Sequence, residues 1–75
     1  MNVLLGGCMW VYILVDNENP HSFVRVSENF IFTNMQSLAD RFETFSKADE
    51  CAEKLWRNGK LKDGQKLKIE KMYIH

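Results

Sequence analysis

The hydrophobic pattern changes period several times along the chain, and each change marks an element. Trp10-Val11-Tyr12-Ile13-Leu14-Val15 is an unbroken run of aromatic, β-branched and aliphatic residues. It predicts a central strand that is apolar on both faces. Asp16-Asn17-Glu18-Asn19-Pro20 predicts a loop, because Asn and Asp bond their own backbone and Pro20 lacks a donor. From Ser22 to Ser27 the pattern alternates, with Val24 and Val26 on one side and Phe23 and Arg25 on the other. That suits a half-buried strand antiparallel to the first. Glu28-Asn29 predicts a tight turn, and Phe30-Ile31-Phe32-Thr33 a short third strand.

Helical spacing follows. Met35, Leu38, Ala39 and Phe42 recur at i, i+3, i+4 and i+7, which predicts a short helix capped by Asn34. Thr44-Phe45 breaks that period, and Ser46 is placed to cap a second helix over 47–58, stopped by Gly59. The inner face of this helix is Ala48, Cys51, Ala52 and Leu55, with Trp56 beside it over the edge of the core. Asp63-Gly64 is a turn signal. In the last predicted strand, Leu67–Ile74, Leu67 and Ile69 share one face while Met72 and Ile74 share the other. The switch implies a bulge near Glu70 or a strand partly covered on both faces. The order β-β-β-α-α-β predicts an α+β domain, with helices packed on one face of an antiparallel sheet of three to four strands.

Seventy-five residues allow one domain, assigned to 9–75, with 1–8 as a loose extension and Met9 as a second possible start. Val3–Cys8 faintly matches a lipoprotein cleavage box, but its apolar run is too short and no Lys or Arg precedes it. No apolar run approaches the ~18 residues of a membrane span, so no membrane partner is expected. Two cysteines, Cys8 and Cys51, are too few for a disulfide framework. Cys51, on the apolar side of a helix, is expected to be a buried free thiol in a reducing, cytoplasmic setting; a Cys8–Cys51 bridge stays open.

Catalytic chemistry finds little support. Cys8, His21, Cys51 and His75 lack the close pair spacing of a structural zinc site. Cys51 is flanked by Asp49, Glu50 and Glu53, which disfavour a thiolate nucleophile. Gly6-Gly7 precedes a strand rather than a helix and lacks the lysine of a phosphate loop. The chain is therefore expected to be non-enzymatic and to need no cofactor or metal.

Charge carries more information. The chain is formally neutral, yet its two parts differ sharply. From Asp16 to Glu53 eight acids face three bases, a net charge of −5; from Lys54 onward seven bases face two acids, a net charge of +5. The acids Asp40, Glu43, Asp49, Glu50 and Glu53 can form a negative ridge for a protein partner, joined by the aromatics Trp10, Phe23 and Trp56. Against that, acids in the first turns of a helix favour its dipole and usually stay solvated. Arg57, Lys60, Lys62, Lys66 and Lys68 offer an alternative surface for phosphate backbone. Lysines on an edge strand also guard against aggregation, and overall neutrality argues against a dedicated nucleic-acid binder. Segregated charge further allows a homo-oligomer.

The segments Phe32-Thr33, Leu38-Ala39-Asp40-Arg41-Phe42, Thr44-Phe45-Ser46 and Asp49-Glu50-Cys51-Ala52 resemble a pattern in small accessory proteins of phages and bacteria. There a short strand ending in an aromatic and Thr leads to an A-x-R-F-like segment, a Thr/Ser-capped helix carrying E-A, and a closing strand. Cys51 stands in place of, or just before, the usual Ala. The likeness spans about Trp10 to Ile74 and rests on caps and core positions. It implies action by binding a host protein or protein complex, as in host-defence inhibitors such as anti-CRISPR proteins. A nucleic-acid-binding module is the alternative. An oligomer that sequesters a small molecule is a third, because so thin a monomer has little room for a pocket of ~300 Å³.

Overall fold

The computed structural model describes residues 9–27 and 31–74. The expected extension 1–8, the bridge to Cys8, the turn at Glu28-Asn29, Phe30 and His75 lie outside the described residues. The order is β1 (Met9–Asp16), β2 (Asn19–Val24), β3 (Phe32–Thr33), a 3-10 turn (Gln36–Leu38), α1 (Phe45–Arg57) and β4 (Leu67–Ile74). The strands form one antiparallel sheet in the order β3-β2-β1-β4. The architecture is α+β as expected, with one helix.

β1 is central because it is apolar on both faces. Leu14 packs beneath α1 with Val24, Ala48 and Leu55, and the partly buried Phe32, Phe42, Leu67 and Ile69 complete that layer. Ile13 and Val15 face the other way and meet Phe23, Ala39 and Met72. This two-sided burial explains the parity switch in β4. Its register against β1 runs unbroken from Met9↔Ile74 to Asp16↔Leu67, so there is no bulge at Glu70. Leu67 and Ile69 serve the helix side, and Met72 serves the opposite cluster. The irregularity falls instead between Val15 and Asp16, where β1 meets β2.

The predicted first helix is not formed. Residues 34–42 contain only the 3-10 turn, whose first flank Met35 has no side-chain cap bond. The sheet recruits this backbone. Phe42 and Tyr12 exchange N–H···O bonds of 2.9 and 2.8 Å, and the Asp40 N–H donates to the Val24 carbonyl at 2.9 Å. Met35 and Leu38 are exposed, while Ala39 and Phe42 serve opposite faces of the sheet. Helical spacing here reflects two separate apolar demands.

Candidate protein-binding groove

α1 begins where Thr44, in extended conformation, accepts the Lys47 N–H on its Oγ1 at 3.1 Å. Thr44 satisfies a donor that the first helical turn leaves without a partner, so it is the cap rather than Ser46. The helix ends in a Schellman closure. The Gly59 N–H reaches the Trp56 carbonyl at 3.2 Å and the Lys60 N–H reaches the Leu55 carbonyl at 2.9 Å. Gly59 supplies the left-handed φ of 68° that this geometry requires.

The reversal lays residues 60–66 alongside one flank of the helix. Gln65 fixes this loop: its Oε1 accepts the Lys62 N–H at 2.8 Å, and its Nε2 donates to Asp16 Oδ2 at 2.8 Å. Asp16 also accepts the Glu18 N–H at 2.9 Å. The Glu18 N–H, then Gln65, hold the Asp16 carboxyl below its ordinary range.

Between the helix flank and this loop lies an open groove of about 430 Å³. Ala52, Leu61 and Leu67 form its apolar lining, and Asp49, Glu53, Trp56 and Lys66 its polar and aromatic surround. Asp49, Glu53 and Trp56 sit at i, i+4 and i+7, so α1 presents them on one side. Trp56 is 69% exposed and does not cover the core edge, which Leu55 fills instead. Glu53 is held by Arg57 at 3.1 Å.

The groove thus gathers three of the sequence-predicted protein-binding residues. The others are elsewhere. Asp40 Oδ2 accepts the Val26 N–H at 2.8 Å and secures the end of β2. Glu43 is exposed ahead of the helix, and Glu50 is exposed on α1 away from the groove. Phe23 was expected at the surface, but it is 6% exposed, because Ile13, Val15 and Ala39 cover the second face of β2. Trp10 lies at the far end of the sheet, 4.7 Å from the Tyr73 ring, with Lys71 Nζ 5.3 Å from its centroid. Phe45 meets Tyr12 edge-on at 6.1 Å and is more than half exposed. Sequence reasoning placed Tyr73 only near the basic segment, did not join it to Trp10, and missed Lys71 and Phe45, since only the β1–β4 register and the true helix start bring them to Trp10 and Tyr12.

The basic candidates are dispersed. Arg57 pairs with Glu53, and Lys68 pairs with Glu70 at 3.2 Å. Lys60 and Lys62 border an opening that also holds Asp16, and Lys66 faces the groove. Cys51 is a half-buried free thiol; burial, then the charge of Asp40, push its pKa up. Among the described residues no three His, Cys, Asp or Glu side chains gather as a metal site, and no helix is long and apolar enough to cross a membrane. No family model, curated protein or solved structure matches the chain.

Proposed function

We propose that this chain is a small non-enzymatic binding protein that docks on a protein partner through the groove beside α1. The observation that carries this is Trp56, 69% exposed on a fixed helix between Asp49, Glu53 and an apolar trough. A large aromatic with only two side-chain torsions loses little conformational freedom on binding and gains much from desolvation, which is why Trp is frequent among interface hot spots. The charged groups around the groove set the chemistry of the partner. It presents an apolar group to the groove, a basic group to Asp49 and an acidic group to Lys66, since Glu53 is already paired with Arg57. The resemblance to phage and bacterial accessory proteins favours a host protein or complex as that partner, with an inhibitor role of the anti-CRISPR kind.

The test is a pull-down from bacterial lysate with the tagged chain, with and without nuclease. A stoichiometric protein that survives nuclease and is lost on Trp56→Ala supports the proposal. Retention of that protein by Trp56→Ala refutes the groove as the docking site. Recovery of nucleic acid alone transfers the function to the Lys60–Lys68 region.

A further inference from the structure

β4 lies at the edge of the sheet and is eight residues long. Such a strand offers backbone donors and acceptors to another strand. The inner ladder fixes which residues do so. Tyr12 gives both its N–H and its carbonyl to Phe42, on the side of β1 away from β4. Its β4 neighbour Lys71 therefore receives no bond from it. Antiparallel ladders alternate, so Val11–Met72, Ile13–Glu70 and Val15–Lys68 are the hydrogen-bonded pairs. The Asn17 N–H on the Lys66 carbonyl at 2.9 Å continues the series. Lys68, Glu70 and Met72 thus turn their backbone groups inward. Leu67, Ile69 and Lys71 turn theirs outward, where no strand among the described residues meets them.

We infer that β4 pairs antiparallel with β4 of a second copy about a two-fold axis at Ile69, joining two sheets into one. In this register Ile69 faces Ile69, and Leu67 faces Lys71 on either side of the axis. All of these are outward-facing residues, so each can exchange backbone bonds with its opposite number. Between them Lys68 faces the second copy's Glu70, and Glu70 faces its Lys68. These are the close, non-hydrogen-bonded positions, where opposite charges stabilise most. Lys68 and Glu70 already share one face at 3.2 Å, each a little over two-fifths exposed. Dimerisation would extend that pair into an alternating four-charge array. Other registers are opposed: an axis at Glu70 stacks two carboxylates, and one at Lys68 or Lys71 stacks two ammonium groups. Edge charge normally prevents pairing. Here Glu70 lies between two lysines, and of the axes from Lys68 to Lys71 only the one at Ile69 sets opposite charges face to face without stacking like ones.

Two measurements test this. The first is amide hydrogen exchange on the unaltered chain at rising concentration. Ile69 and Lys71 should gain protection with concentration, whereas Lys68, Glu70 and Met72 should be protected throughout. The second is sedimentation equilibrium. Lys68→Glu and Glu70→Lys should each weaken dimerisation about tenfold, because each puts like charges at both symmetry-related positions. An equimolar mixture of the two variants should restore association, since every carboxylate at positions 68 and 70 of one chain then faces an ammonium of the other. Neither variant regains its internal ion pair, so repair within one chain cannot account for that restoration. A monomeric wild type with concentration-independent exchange at Ile69 and Lys71, or a mixture as weak as the single variants, overturns the inference. The exchange experiment needs no substitution and decides the matter even where a variant fails to fold.

Discussion

Leu55→Ala isolates what seats the helix on the sheet and so what shapes the groove. Only Ala48 and Leu55 of α1 are buried, and Leu55 is 7% exposed. The substitution removes three carbons, about 2.4 kcal/mol of transfer free energy at ~0.8 kcal/mol per buried methylene. A cavity adds to this. Leu61 and Leu67 border the open groove and can relax inward, which keeps the added cost small. The expected loss is about 3 kcal/mol, within the usual span for buried Leu→Ala. A chain of 75 residues has roughly 4–11 kcal/mol in all, so most of the margin is at stake. Urea unfolding followed by circular dichroism reads it directly. With a slope of about 1 kcal/mol per molar urea, the midpoint falls by about 3 M. Trp56→Ala is the matched control and should cost no more than about 0.5 kcal/mol, as expected for an exposed side chain. If Trp56→Ala costs more than Leu55→Ala, the assignment of Trp56 to the docking surface rather than the core is wrong.

Thr44→Ala should destabilise by about 1 kcal/mol and Ser46→Ala by a few tenths, measured in the same unfolding assay; the reverse order would move the cap. Asp16 carries a pH signature. Its folded pKa is lowered, so its contribution is complete above the ordinary value of 3.8 and is lost as pH falls through the lowered folded value. The stability gap between wild type and Asp16→Asn, taken from unfolding curves at stepped pH, should therefore narrow below that value; a constant gap would contradict the Glu18 and Gln65 bonds to its carboxylate. Cys51, with its raised pKa, should alkylate with iodoacetamide more slowly at neutral pH than an unstructured cysteine, followed by mass mapping of its peptide; equal rates would contradict its half-buried placement beside Asp40.

The strongest elements were legible because one physical demand governed each. The run Trp10–Val15 reads as a two-faced strand and is one, and Gly59 reads as the helix stop and adopts φ 68°. Where two demands overlap, the pattern misleads. Met35, Leu38, Ala39 and Phe42 keep helical spacing, yet Ala39 packs on one side of the sheet and Phe42 on the other, and Tyr12 takes the Phe42 backbone. Phe23 looked exposed for a related reason: alternation in β2 signals one buried face, whereas Ala39 helps cover the second. In the groove, the i, i+4, i+7 spacing of Asp49, Glu53 and Trp56 was present in the sequence. The loop opposite them was not readable, because it depends on the Gln65–Asp16 bond across 49 residues of separation.

The most direct test of the docking surface is the affinity of the captured protein for wild type, Trp56→Ala and Trp10→Ala, by calorimetry. Trp56→Ala should lose about 2 kcal/mol or more, roughly 30-fold in Kd, as a hot-spot tryptophan does. Trp10→Ala, at the far end of the sheet, should bind as wild type does. Full affinity of Trp56→Ala alongside a loss in Trp10→Ala would contradict the groove and place the interface on the Trp10–Tyr73 cluster.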